Sequence, residues 1–208
     1  MKILTFADSH GDYQIHDFVL TQAKKEKVDL IVCAGDVSVF GMHLADIITH
    51  LDQTDIPIIF IHGNHEHEDS VKELVLKSKN IKWLHKDVHI QDGFVFLGYG
   101  GGGFSQKDPE FVSFIKNHTD KKNVILFTHQ PPYNTKLDTY DGIKTGSKDI
   151  LRAIESLEPV LAVSGHIHET FEIQQQLGKS LLINPGPMGQ IIDLEHDTKS
   201  TKQKSNSK

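Results

Sequence analysis

Short runs of β-branched and aromatic residues alternate along this chain with amphipathic helical stretches, and that alternation places it in the α/β class. Three observations carry the assignment. Five segments, 2–7, 29–33, 56–61, 123–127 and 160–164, are dominated by Ile, Leu, Val and Phe and read as buried strands. Between them apolar residues recur at helical spacing, and strands separated by helices of roughly 10–15 residues pair in parallel through crossover connections. In two places, 81–98 and 170–194, the pattern turns purely strand-like, which points to antiparallel edges or a second sheet packed on the first.

Strand 2–7 leads into a helix in which Ile15, Phe18 and Val19 fall at i, i+3, i+4. Strand 29–33 leads into Leu44, Ile47, Ile48 and Leu51 at i, i+3, i+4, i+7. After 56–61, Ser70 with Glu73 forms a capping box that opens the third helix. Two strand-like runs follow within 81–98, parted by Gly93. Asp108 before Pro109 starts a helix carrying Phe111, Phe114 and Ile115, and Ser147 after Gly146 starts one carrying Ile150, Leu151, Ile154 and Leu157. Residues 170–194 read as a β-meander turning at Gly178. Beyond a domain of residues 1–196, the stretch 197–208 holds no apolar residue and is expected to be a disordered tail.

Composition narrows the function classes. At 208 residues, 38 % hydrophobic and 24 % charged, the chain has enough apolar side chains for one sizeable core. A single cysteine, Cys33, excludes an intramolecular disulfide and a Cys-rich zinc module, and within its strand it reads as a small buried hydrophobe. No apolar run reaches membrane-span length, and Met1 to Phe6 runs straight into a strand, so a cytoplasmic protein with no membrane partner is expected. The net charge of -6 argues against a partner such as long nucleic acid, yet leaves room for a phosphoester, because a local metal site can outweigh the global sign. The 14 histidines stand against one arginine, Arg152, and their positions carry the argument.

Chemistry-bearing residues follow the C-terminal end of each core strand: Asp8 and His10 after the first, Asp36 after the second, Asn64 and His65 after the third, His129 after the fourth, His166 and His168 after the fifth. The carboxyl ends of strands in open α/β sheets line one crevice, where ligands bind. Asp8 with His10, and His166 with His168, are spaced i, i+2 and point to one side of an extended segment. Two carboxylates, four imidazoles and one amide oxygen exceed the needs of one ion and suit two borderline divalent ions sharing a carboxylate. With two divalent cations and one hydroxide, the site sums to about +1, which favours an anionic substrate.

The ordered set Asp8-Ser9-His10, Gly35-Asp36, Gly63-Asn64-His65-Glu66, His129 and Gly165-His166-Ile167-His168 resembles the calcineurin-like metallophosphoesterase superfamily. The segments Thr128-His129-Gln130-Pro131-Pro132 and Gly146-Ser147 resemble its small single-domain prokaryotic members. The resemblance implies a four-layer α/β/β/α sandwich of two mixed sheets flanked by helices. It implies one metal on Asp8, His10, Asp36 and His168, and a second on Asp36, Asn64, His129 and His166, with Asp36 bridging. Catalytic His65 would assist the leaving oxygen. Some members carry, three residues after the bridging Asp, an Asp that orients this histidine; that position is Val39 here. Glu66 is expected to brace the loop rather than bind metal.

The implied reaction is hydrolysis of a small phosphodiester, cyclic nucleotides among them, by in-line attack of metal-bound hydroxide. Mn²⁺ is the first expectation for the cofactor, with Fe²⁺, Zn²⁺ and Ni²⁺ tolerated by the same mixed donor set. The alternatives are a phosphomonoesterase acting on a small metabolite and a metal-binding, non-catalytic scaffold. The sequence sets no oligomeric state. His16, His43, His50, His85, His89, His118 and His196 lack strand-end placement and read as structural or solvent-facing. His62 and His67 flank the third motif, and a supporting role fits them better than ligation. Gly98 to Gly103 formally matches a dinucleotide-binding glycine pattern, but the next helix waits until Pro109, so a loop beside the site is expected, with Phe104 near the substrate. His65-Glu66-His67-Glu68-Asp69 resembles a metallo-β-lactamase core, a reading that would leave Asp8, His10 and Asp36 idle. Within 130–145, Tyr133 and Tyr140 either stack on a base or pack.

Overall fold

The computed structural model describes residues 1–194. Its first half runs β1 (Lys2–Phe6), α1 (Tyr13–Lys25), β2 (Leu30–Cys33), α2 (Leu44–Leu51), β3 (Ile58–Phe60), α3 (Glu68–Val75) and β4 (Ile81–Trp83). The second half runs β5 (Asp87–Gln91), β6 (Phe94–Tyr99), α4 (Pro109–Lys116), β7 (Val124–Thr128), β8 (Thr139–Tyr140), β9 (Ile143–Lys144), α5 (Lys148–Leu157), β10 (Leu161–Val163), β11 (Gln174–Leu177), β12 (Ser180–Ile183) and β13 (Gln190–Asp193). The expectations for His196 and for a tail over 197–208 lie outside the described residues.

Two mixed sheets result. The first has the order β13-β1-β2-β3-β4, parallel from β1 to β4, with β13 antiparallel at one edge. The second has the order β11-β12-β10-β7-β6-β5, parallel from β12 to β6 and closed at each edge by an antiparallel strand. The period of two along each strand divides the core. In β1 to β3, Ile3, Leu30, Val32 and Ile59 face Phe96, Ile125, Phe127 and Val163 of the other sheet. Leu4, Phe6, Ile31, Cys33 and Phe60 face outward onto α1, α2 and α3 through Val19, Ile47 and Val71. On the far side, Leu97, Leu126 and Ala162 meet Phe111 and Ile115 of α4 and Ile150 and Ile154 of α5. The layers therefore run helix, sheet, sheet, helix. Among the described residues, no helix is long and apolar enough to cross a membrane.

Three local expectations change. The third helix starts at Glu68, two residues before Ser70, with Glu68 and Asp69 in its first turn near the positive end of the helix dipole. Within 81–98 there are three strands, because Ile81–Trp83 adds a parallel edge to the first sheet before β5 and β6 turn at Gly93. The stretch 170–194 is not one meander: β11 and β12 turn at Gly178, but β13 crosses to pair with β1. The capping expectations hold at Asp108, whose carboxylate accepts the Glu110 and Phe111 N–H groups, and at Ser147, whose hydroxyl accepts that of Ile150.

Candidate metal centre

Parallel strands end at the same edge, so the loops after β1, β2, β3, β7 and β10 converge where the sheets meet. Backbone hydrogen bonds join these loops: Asp8 N–H donates to Gly35 O at 3.0 Å, His10 N–H to Asp36 O at 3.0 Å, and Gly165 N–H to His129 O at 3.0 Å. Four of the seven expected ligands, Asp8, His10, Asp36 and His166, adopt left-handed backbone with φ of 59°, 45°, 54° and 72°. Side chains pay for that conformation with strain, and strained residues concentrate where function holds them. Gly63 and Gly165 are required by close approach, since a Cβ on either would collide with the carboxylates of Asp36 and Asp8 respectively.

Within this edge the donor atoms fall into overlapping groups. Those of Asp8, His10 and His168 lie within 4.8 Å of one another, as do those of Asp36, His129 and His166, and those of His10, Asp36 and His65. His10 Nε2 faces His168 Nε2 at 3.1 Å, and His168 Nε2 stands 4.0 Å from Asp8 Oδ1. His129 Nε2 faces Asn64 Oδ1 at 3.0 Å and Asp36 Oδ2 at 3.2 Å. The structure thus brings all seven expected ligands and His65 together around Asp36.

The chemistry of this donor set fits divalent cations. Buried His129 has Nδ1 2.9 Å from Ala34 O, the backing bond that holds a metal-ligating imidazole in one tautomer and leaves Nε2 as the donor. That Nε2 points at two oxygens, an arrangement that requires a positive charge between them or on the ring. Without a cation the ring supplies it: burial pulls His129 down, but the Asp36 carboxylate outweighs this and lifts it to about 9. Asp36 answers in kind, since burial pushes it up while the His129 charge and hydrogen bond hold it at about 2. Burial pushes Asp8 up to about 7, against the pull of His129 and with Asp36 adding to the rise. Burial lowers His166 to about 4 and lowers His10 and His168, so these rings are neutral near pH 7, as ligation needs. The buried Nε2 of His166 has no hydrogen-bond partner.

Glu66 braces the loops as expected. Its carboxylate accepts the N–H of Asp36 at 3.0 Å, of Ser38 at 2.9 Å and of Gly63 at 2.9 Å, and the Ser38 hydroxyl at 2.9 Å. The lactamase-like reading fails because the side chains within this run diverge: His65 faces the centre, Glu66 the loop backbones, and Glu68 lies 3.3 Å from His85. His62, Glu68 and His85 form a further donor group, but it does not fit a metal. His85 Nδ1 accepts the Gly100 N–H at 2.7 Å, which leaves the proton on the nitrogen facing Glu68, and the Lys86 ammonium already lies 3.6 Å from that carboxylate. His16, read as structural, is buried against the Ser9 hydroxyl at 2.7 Å.

Two residues near the centre have contacts that the sequence does not signal, although Gln130 lies within the family-like segment after the fourth core strand. Phe40 stacks on His65 and belongs to no helical or strand periodicity; the glycine after it is its one local mark. Gln130 donates through its amide to Ser105 O at 2.9 Å, a contact set by how two loops meet. The glycine loop leads into no helix before Pro109, and Phe104 within it lies 4.8 Å from the His166 ring.

Residues 1–170 match the family model described as calcineurin-like phosphoesterase. The chain is 28 % identical to an uncharacterized protein of Methanocaldococcus jannaschii, an alignment covering 96 % of this chain and 93 % of that one. It is 24 % identical to a probable glycerophosphodiester phosphodiesterase of Arcobacter nitrofigilis, covering 85 % of this chain and 70 % of the relative. Among solved structures, a protein of Thermus thermophilus superposes with a TM-score of 0.70 at 17 % identity, covering 89 % and 88 % of the two chains. A dimetal phosphatase from Danio rerio does so with a TM-score of 0.64 at 12 % identity, covering 88 % and 86 %. At these identities the structural likeness speaks to the fold alone.

Proposed function

The chain belongs to the calcineurin-like phosphoesterase family, and from that premise we propose that it hydrolyses small phosphodiesters with two divalent cations, Mn²⁺ foremost, at the strand-end centre. The observation that carries this reading is the pair of donor groups, Asp8-His10-His168 and Asp36-His129-His166, meeting at one edge with Asp36 also beside His10. We assign one cation to Asp8, His10, Asp36 and His168, and the other to Asp36, Asn64, His129 and His166. Cations held there supply Lewis acidity toward phosphoryl oxygens and acidify water near neutral pH.

The chain's own groups do the rest. Asp36, backed by the His65 N–H at 2.8 Å on Oδ1, holds the two halves of the centre in register. His65 stands at the mouth with its side chain 24 % exposed, positioned to give a proton to the departing oxygen. Preference for a diester is supported by charge: a monoester near neutral pH carries close to two negative charges, a diester one. The cleft over the centre is lined by Asp36, His65, His166, His168 and Glu169, and among the described residues no lysine or arginine lines it to neutralise the extra charge. The name of the Arcobacter nitrofigilis relative, a probable glycerophosphodiester phosphodiesterase, points the same way.

Steady-state assays of the Mn²⁺-loaded protein with bis-(p-nitrophenyl) phosphate and p-nitrophenyl phosphate test the reading. Turnover is expected to favour the diester, to vanish in Asp36→Asn, and to slow in His65→Ala with metal content retained. Absence of turnover on both compounds, or full activity in Asp36→Asn, contradicts it.

A further inference from the structure

One wall of the cleft is built from aromatic side chains that no core claims. Phe104 and Tyr140 are 59 % and 48 % exposed, come from the glycine loop and the β8–β9 hairpin respectively, and meet with ring centroids 5.9 Å apart. Phe104 also reaches the His166 ring at 4.8 Å, and both line the cleft of about 330 Å³ over the metal centre. Paired, exposed rings at the mouth of a polar site mark a binding surface rather than packing.

Both segments are anchored from below. Tyr140 ends the first strand of the β8–β9 hairpin, which belongs to neither main sheet. At its base the buried Asp138 carboxylate accepts the N–H of Asn134 at 2.6 Å and of Thr135 at 3.2 Å, and pairs with Lys144 Nζ at 2.9 Å. Lys144 donates further to Thr135 O and to the Thr139 hydroxyl. The buried Gln130 amide, next to His129, donates to Ser105 O at 2.9 Å, one residue after Phe104, and to Thr145 O at 3.5 Å, just past the hairpin. One side chain thus ties both aromatic segments to the strand end that bears His129. Rings held in place before binding lose little entropy when a ligand arrives.

We propose that Phe104 and Tyr140 form the recognition wall for an uncharged aromatic ring on the substrate, so that the preferred phosphoesters carry a planar ring and no second anionic group. The inference rests on the phosphoesterase reading and specifies its substrate class. A ring stacks offset or edge-on against the pair, an alkyl group of similar reach gains only area, and Glu169 beside the wall opposes further negative charge.

The test is calorimetric binding of two non-hydrolysable, singly charged probes, methylphenylphosphinate and ethylmethylphosphinate, to the Mn²⁺-loaded protein, its Phe104→Leu variant and its Tyr140→Leu variant. The parent is expected to prefer methylphenylphosphinate about tenfold, and either leucine, which keeps apolar bulk and removes the ring, is expected to cut that preference to about twofold. Equal affinities in the parent, or an unchanged preference in both variants, overturn the inference; if bis-(p-nitrophenyl) phosphate is still hydrolysed, the phosphoesterase reading survives. If neither phosphinate binds, the inference falls, and if in addition no diester is hydrolysed, both fall together.

Discussion

The ring of Phe40 lies face to face with that of His65, centroids 4.3 Å apart and planes 18° from parallel. Phe40 is 76 % exposed and sits at φ 50°, a conformation that costs a bulky residue about 1 kcal/mol or more. An exposed, strained phenylalanine that packs on one histidine accounts for what orients His65 where Val39 provides no carboxylate. His10 supplies the other side of the clamp, edge-on with centroids 4.8 Å apart.

Phe40→Gly separates these effects. Glycine accepts the left-handed backbone and releases the strain, so the variant is expected to unfold no earlier than the parent in urea. Turnover of a small diester is expected to drop roughly tenfold, a part of the usual worth of a positioned acid, with metal content unchanged. Parent-like turnover with normal metal content would show that Phe40 does not orient His65.

Glu66 ties the second and third motif loops through four accepted hydrogen bonds. In Glu66→Gln an amide N–H₂ replaces one acceptor and faces donors it cannot pair with. The expected loss is about 2–4 kcal/mol of stability, with metal affinity weakened roughly 10–100-fold. Urea unfolding and a metal-binding titration check both numbers, and unchanged values in the two would show the bracing to be idle.

Metal removal should expose the charge stored on Asp8. Burial pushes that carboxyl from 3.8 to about 7 in the folded, metal-free chain. Above pH 7 the folded state then bears a buried charge that the unfolded chain solvates, so Asp8 lowers stability at high pH, and the loss is recovered as pH falls from about 7 toward 4. In chelator at pH 8, Asp8→Asn is therefore expected to be more stable than the parent by roughly 2–4 kcal/mol, the gap shrinking toward pH 4. With metal present the order is expected to reverse, because the substitution removes a proposed ligand. A variant that is less stable than the parent at pH 8 without metal contradicts this sign.

The strand ends were readable because each core strand is a short apolar run, and the residue types after it depend only on local order. Asp8 with His10, and His166 with His168, could be placed on one side from spacing alone. Elements whose state depends on distant partners were not readable. β13 looks like a third strand of a meander, yet Ile191 and Ile192 pair with Leu4 and Ile3 at the opposite end of the chain. The β8–β9 hairpin has two residues per strand, too short for any periodicity, and is held instead by buried Asp138. Gln130 sits in a segment the sequence singled out, but its contact with Ser105, like that of Phe40 with His65, depends on loops remote in sequence that no local pattern encodes. The third helix began early because His67, extended at ψ 127°, yields the first turn to Glu68 and Asp69.

Asp36 is proposed to sit between two cations. Metal analysis of the reconstituted protein and of Asp36→Asn tests it most directly. Two ions per chain in the parent, with both sites weakened by the single substitution, are the expected result. A parent that saturates at one ion, or an Asp36→Asn chain that still takes up two with parental affinity, contradicts it.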